Sequence, residues 1–286
     1  MALPSAVTTA PRTRRRPLRV RPKPTLLIGL AIVTALLVMA LFPHLIAPYN
    51  PSKFDYGAIL KGPSAQHLFG TDNFGRDVFS RVIYGARVDL QIALFCTLFP
   101  FLFGTLAGAI TGYVGRWLDA GFGRLVDVVM VFPFLILVIA IVAMLGPGLR
   151  NMYLAVSVVG WVYYARLVRG ETLVQKQSEY VQAARVMGYS PGRIVFRHIF
   201  PNAVTPAIVY WMTDMSLGIL LGASLGYLGL GAQPPTAEWG VMVADGKNFM
   251  VTAPWISTFP GLVLTLAGVG FSLVGDGLAD LLRPKR

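Results

Sequence analysis

Apolar residues along this chain do not alternate with polar ones. They run in long blocks separated by shorter polar segments. A helix that crosses a bilayer needs about 20 mostly apolar residues, and six blocks approach or exceed that length: 25–46, 88–113, 123–146, 151–169, 203–231 and 255–280. The pattern predicts an all-α, polytopic membrane protein with six transmembrane helices and both ends on one side. The blocks at 88–113 and 255–280 are long enough to tilt or protrude. A secretory signal has an apolar core of only about 7 to 15 residues before a small-residue cleavage site. The first block is longer and runs into FPHLIAPYNP, so it reads as a retained span.

Composition supports the membrane class: 55% of residues are hydrophobic and 13% charged, against about 25% charged in soluble domains. Mean hydropathy is +0.62. A net charge of +12 in a soluble protein would point to nucleic acid, but here the distribution of lysine and arginine explains it as topology. With the N-terminus inside, the inner segments carry 18 lysines and arginines and the outer ones 7. Excess positive charge marks the cytoplasmic side, so both termini are expected there. The division that follows is a basic tail over 1–24, a first helix over 25–46, an external segment over 47–87 and a core of five helices over 88–286. The outer stretches 47–87 and 232–254 mix polar, aromatic and turn residues and predict short helices at the outer mouth.

One cytoplasmic loop, 175–201, stands apart. Gln175 to Met187 is free of proline and glycine, and Tyr180, Ala183, Ala184 and Met187 fall at helical spacing on one apolar face. Gly188 suits the left-handed end of that helix. Ser190 is placed to cap a second helix with Pro191 at its first position. That helix carries Ile194, Val195 and Ile199 beside Arg193 and Arg197, and Pro201 marks the junction with the next span. Two readings of this helix-turn-helix stay open. The small Ala183, Ala184 and Gly188 permit close approach by a partner whose carboxylates meet Arg185 and Arg193. Alternatively, an amphipathic loop lies on the anionic inner leaflet.

Residues 179–202, EYVQAARVMGYSPGRIVFRHIFPN, resemble the EAA loop of ATP-binding-cassette (ABC) importer permeases: E-A-A, three residues, G, nine residues, I-x-L-P. Ala183, Ala184, Gly188 and Pro201 match. Gln182, His198 and Phe200 depart from the pattern, and Glu179, one turn before Ala183, offers a negative charge on the same face. HLFGTDNFGRDVFSRVIYGAR at 67–87, LGLGAQPPTAEWG at 228–240 and VGDGLADLLRP at 274–284 resemble the peptide and nickel branch of that superfamily. The resemblance covers most of the chain from Thr25 onward. It implies the type I ABC importer permease fold in a bacterial cytoplasmic (inner) membrane. The partners it implies are a second permease subunit, two ATP-binding subunits and an external solute-binding protein. It makes 175–201 the coupling loop, with Glu179, Ala183, Ala184, Arg185, Gly188, Pro191, Arg193 and Pro201 as its working residues. The implied function is ATP-driven import of di- or oligopeptides, with nickel, glutathione or opine import by the same architecture as alternatives. From another class, a non-transport membrane scaffold is the competing reading.

The implied subunit is not an enzyme and has no cofactor of its own, because ATP and magnesium belong to the partners. GVMVADGKN at 240–248 mimics a phosphate loop, but it has one residue too many between its glycines and Asn248 where a magnesium-binding hydroxyl belongs. His44, His67 and His198 are too far apart in sequence to read as a metal site. Cys96, the single cysteine, reads as a small packing residue. Asp214, a charge inside the 203–231 block, is expensive in hydrocarbon. It either lines the translocation pathway and meets charged peptide termini, or makes a helix–helix hydrogen bond. Gly218, Gly222 and Gly226 form a small-residue stripe, expected to pack against the second permease. Asp72, Arg76 and Asp77 are expected to brace the outer segment, with a binding-protein contact as the alternative. Asp276 and Asp280 are expected to pair with Arg283.

Overall fold

A computed structural model describes residues 24–282. The basic tail and Arg283 lie outside the described residues. Among the described residues, nine helices of eight residues or more follow one another: α1 (Pro24–Leu41), α2 (Val78–Val114), α3 (Arg116–Val131), α4 (Phe134–Leu145), α5 (Leu149–Lys176), α6 (Glu179–Val186), α7 (Thr205–Tyr227), α8 (Trp239–Gly246) and α9 (Trp255–Leu282). The only extended pairing among the described residues is a single bridge between Thr71 and Asp77, so the fold is all-α.

Four helices, α1, α2, α7 and α9, are long and apolar enough to cross a membrane, and α3 with α4 adds a fifth if that bent pair is one span. The count of six is therefore not met on length and composition. A helix does fill the block expected at 151–169, but α5 includes Arg150, Arg166, Arg169, Glu171 and Lys176, which keep it below the apolarity of a span. Three boundaries also move. The first span stops at Leu41, and Pro43 opens a separate short helix to Ile46. The 123–146 block breaks at Phe132 and Pro133, where α3 and α4 meet at 86°; Pro133 has no N–H to continue the ladder. The helix of the 88–113 block starts ten residues earlier, as α2 begins at Val78. Its cap is the reason: Asp77 Oδ2 accepts from Ser80 N at 2.8 Å and from Ser80 Oγ at 2.7 Å.

Packing between helices rests on glycines. Along α2, Gly104, Gly108 and Gly112 face the backbone of α5. A Cβ at Gly104 would run into the carbonyl oxygen of Trp161, and one at Gly108 into that of Ala165. A Cβ at Gly112 would sit 3.1 Å from the Arg169 oxygen. The Gly218, Gly222 and Gly226 stripe of α7 also faces inward. Thr97 and Ala93 lie over Gly218, Ile92 over Gly222 and Glu238 over Gly226. Within this chain the stripe therefore packs on α2 at Gly218 and Gly222 and on Glu238 at Gly226.

Outside the spans, charge is buried in pairs. Arg76 Nε donates to Asp72 Oδ2 at 2.6 Å, its Nη2 lies 3.5 Å from Asp245 Oδ2, and Arg81 Nε lies 3.8 Å from Asp72 Oδ2. Asp72 also accepts the N–H groups of Phe74 and Arg76 at 2.8 and 2.9 Å. Asp77 holds His67 Nδ1 at 2.9 Å. Asp72, Arg76, Asp77 and Arg81 are enclosed and spent on one another and on their neighbours, which is the bracing reading. Arg76→Ala should leave the buried Asp72 with Arg81, at the longer distance, as its only charged partner, at a cost of about 3 kcal/mol. A lower unfolding temperature of the purified subunit, not recovered by Arg76→Lys, is the expected measurement, since ammonium cannot copy the planar fork.

Candidate functional site

The loop forms as a helix-turn-helix, but with its faces arranged differently from the sequence expectation. The first helix is interrupted at Gln177–Ser178, so α6 begins only at Glu179. Val181 and Ala184 are its buried residues. Tyr180, Ala183 and Met187, expected to share one apolar face with Ala184, are exposed. Ala184 is therefore not part of a partner-facing surface. It sits at 1% exposure in a core with Val181, Ile194, Ile199 and Ala203, closed by Ala109 of α2, Tyr164 and Val168 of α5 and Ala207 of α7.

Gly188 ends α6 with φ of +77°. Its N–H donates to Arg185 O at 2.9 Å, and Tyr189 N donates to Ala184 O at 3.2 Å. This pair of bonds satisfies carbonyls that the helix end would otherwise leave open. Pro191 does start the second helix, but Ser190 makes no side-chain cap bond. A π-helical stretch, Ile194–Ile199, follows, closed by Phe200 N donating to Val195 O. Pro201 supplies no N–H at this point, so the longer bond spacing falls where the regular ladder must break.

The outer side of the loop is left bare. Val186 is 89% exposed and Met187 63%, with Ala183, Gly188, Glu179 and Pro191 exposed beside them. Arg185 lies over the Tyr113 ring at 5.7 Å and Arg193 over Tyr189 at 5.1 Å. Pro201 is exposed at the start of the last short helix before α7. The arrangement is a sealed base carrying a small apolar ridge with arginines at its flanks.

Asp214 lies elsewhere, on α7, where it borders a cavity of about 440 Å³. Tyr164 Oη donates to Asp214 Oδ2 at 2.7 Å. Both sequence readings of Asp214 thus have a geometric counterpart, a cavity and a helix–helix hydrogen bond. Phe134, Tyr163 and Tyr210 stand among the cavity's walls, and Cys96 and Gly218 line it too. Tyr164 belongs to the core beneath α6 as well as to the Asp214 bond, so one side chain touches both the loop's base and the cavity's carboxylate.

Several structural residues were not singled out in the sequence. Asp119 and Arg169 form a two-pronged ion pair between α3 and α5, Oδ1 to Nε and Oδ2 to Nη2, the second at 2.7 Å. Glu238 caps α8, accepting from Gly240 N at 2.7 Å and Val241 N at 2.8 Å. Asp89 of α2 accepts from Trp239 N at 3.1 Å. Burial pushes the Glu238 carboxyl above its ordinary range, and its bonds from Gly240 and Val241 pull it back. A glutamate followed by Trp-Gly offers only a weak cap signal, and nothing in the sequence pairs Trp239 with Asp89, 150 positions earlier. GVMVADGKN at 240–248 is largely helical, and its Gly240 and Gly246 serve close packing on Ala223 and Ser257.

Comparison with known proteins adds an independent line. The family described as binding-protein-dependent transport system inner membrane component matches residues 104–286. The N-terminal TM domain of oligopeptide transport permease C matches residues 18–63. The chain is 43% identical to the dipeptide transport system permease protein DppC of Alkalihalophilus pseudofirmus over 259 residues, 91% of this chain and 85% of that protein. It is 41% identical to the glutathione transport system permease protein GsiD of Pectobacterium atrosepticum over 88% of this chain and 84% of that one. Among solved structures, inward-facing conformations of the MetNI methionine ABC transporter match with a TM-score of 0.58 at 20% identity. That match covers 71% of this chain and 97% of the other, and it speaks to the fold alone.

Proposed function

Since the chain belongs to the binding-protein-dependent transport system inner membrane components, the permease subunits of ABC importers, we propose that it helps carry di- or oligopeptides across the cytoplasmic membrane. Family membership makes it a multi-pass inner-membrane transport subunit with no catalytic role of its own. The observation that carries the substrate class is the 43% identity to a dipeptide permease over 91% of the chain. Glutathione, itself a peptide, is the second reading, favoured by relatives of nearly equal identity.

In this reading α5 completes six spans, with α3 and α4 counted as one. Its charges gather toward its C-terminal end, where Arg166, Arg169, Glu171 and Lys176 can reach the cytoplasmic face, and the excess of inner lysine and arginine supports both termini inside. Residues 1–24 are then a cytoplasmic tail, 47–87 an external segment and 88–286 the core permease domain.

Two ATP-binding subunits, a second permease and an external solute-binding protein complete the machine. The ridge at Ala183, Val186, Met187 and Gly188 seats in an ATP-binding subunit, while Glu179, Arg185, Pro191, Arg193 and Pro201 fix its ends. ATP closes the motor pair, moves the loop as a unit and turns the helices outward. Solute then enters from the binding protein, and hydrolysis restores the inward state. The driving free energy is the difference in ATP affinity between the two conformations.

The test is uptake by the complete complex in proteoliposomes. Labelled dipeptide and labelled glutathione are compared, each with and without ATP and the binding protein. Accumulation of dipeptide that requires both ATP and binding protein is the expected result. ATP-dependent uptake of glutathione alone would shift the assignment to the second reading, and uptake of neither would overturn the peptide class.

A further inference from the structure

We infer that Asp214 is a cation-selective anchor in the translocation cavity, recognising the α-ammonium group of an unblocked peptide; this rests on the import of peptides proposed above. Asp214 is the one charged side chain among the residues lining the cavity. It lies near the middle of α7, with nine residues of that helix before it and thirteen after it, a depth at which an ionisable group is costly and is kept for a pathway or a partner. Its partner is only half a partner. The Tyr164 hydroxyl occupies Oδ2, while Oδ1 has no hydrogen-bond donor among the described residues. The free oxygen is not sealed away either, being absent from the buried polar atoms that lack a bond.

The surroundings restrict what can complete that shell. Tyr163, Tyr210 and Phe134 present aromatic surface, which attracts a compact cation lying over a ring face. A metal ion would require several oxygen or nitrogen ligands, and the described residues hold no group of three or more His, Cys, Asp or Glu side chains placed for one. A primary ammonium asks for less: one carboxylate oxygen and an aromatic wall. No lysine or arginine lines the cavity, so no positive charge among its walls draws the peptide's carboxylate. Peptide therefore orients with its amino end at Asp214. The volume, about 440 Å³, lies within the usual range for small-ligand pockets, roughly 300–1,000 Å³. An α-ammonium is common to dipeptides and glutathione, so the anchor is indifferent to which of them the binding protein delivers.

The complete importer in proteoliposomes, carrying Cys96→Ser and Leu217→Cys, tests this. Leu217 lines the cavity one turn from Asp214 and is 54% exposed. Thiosulfonate reagents bearing trimethylammonium or sulfonate are compared, each rate normalised to its reaction with a free thiol and read by mass on this chain. A roughly tenfold preference for the cationic reagent is expected from a cleft of one charge sign. Asp214→Asn should erase it and Tyr164→Phe should not. An unblocked dipeptide should slow the cationic reagent, whereas its N-acetyl form should not. Equal rates for the two reagents, or a preference that survives Asp214→Asn, would overturn the anchor and leave Asp214 as a helix–helix tie. Dipeptide uptake is measured in the same vesicles without the thiol reagents. Its absence beside an intact charge preference would count against peptide import and not against the cation-selective site.

Discussion

Ala184→Asp is expected to abolish ATP-driven uptake. Ala184 is at 1% exposure, enclosed by Val181, Ile194 and Ile199 of its own loop and by Tyr164 and Val168 of α5. The one polar group among these, the Tyr164 hydroxyl, is already committed to Asp214, and an unpaired charge buried there costs about 4 kcal/mol or more. The second helix would separate from α6, and motion of the ridge would no longer reach the spans. Uptake should fall at least about 100-fold, in line with that cost, and ATP hydrolysis should lose its stimulation by loaded binding protein. Ala184→Ser, which can return its hydroxyl to a helix carbonyl, should retain most of both. Val186→Asp separates docking from folding: at 89% exposure the aspartate is solvated, so the chain should remain as stable as before while transport fails. Wild-type coupling in Ala184→Asp would mean that the loop's sealed base does not transmit force.

Gly108→Leu is expected to be as severe, for a different reason. A Cβ at Gly108 would overlap the carbonyl oxygen of Ala165 and approach Arg169 N to 3.0 Å. Both are backbone atoms of α5, so no side chain can swing aside. Separating α2 from α5 would open the most extensive helix–helix contact among the described residues and carry Tyr164 away from Asp214. Overpacking a well-filled site usually costs about 1–3 kcal/mol, and the upper end or beyond is expected where backbone opposes backbone. The measurement is recovery of the assembled complex from detergent extracts, with loss of most of it expected. Gly170→Leu, also within α5 but with no atom within 4 Å of its Cβ position, should assemble normally.

The long apolar blocks made most spans legible, because length and hydropathy act locally. The polar α5 was legible as a helix only because its first half is apolar. Its place beside α2 depends on Gly104, Gly108 and Gly112, whose four-residue spacing is visible in FGTLAGAITGY but sits among large apolar residues that draw attention first. Gly188 was readable as a positive-φ helix end because few residues tolerate that geometry. The face of α6 was not. Tyr180, Ala183 and Met187 compete with Val181 and Ala184 for the inside of an eight-residue helix, and the second helix and α5 decide the outcome. Asp214 stood out as a lone charge in a span, whereas Tyr164, 50 residues earlier in the chain, could be matched to it only once α5 and α7 were side by side.

The central claim is that the bare ridge around Val186 is where the ATP-binding subunit grips this chain. Benzoylphenylalanine placed at Val186 in the intact, transport-competent complex tests it most directly, with Val251, 96% exposed beyond the other end of the bundle, as the comparison site. Irradiation should join the chain to an ATP-binding subunit from position 186, with a yield that changes when ATP is bound, and never from position 251. A product between position 186 and lipid alone, with no ATP-binding subunit captured in either nucleotide state, would contradict it.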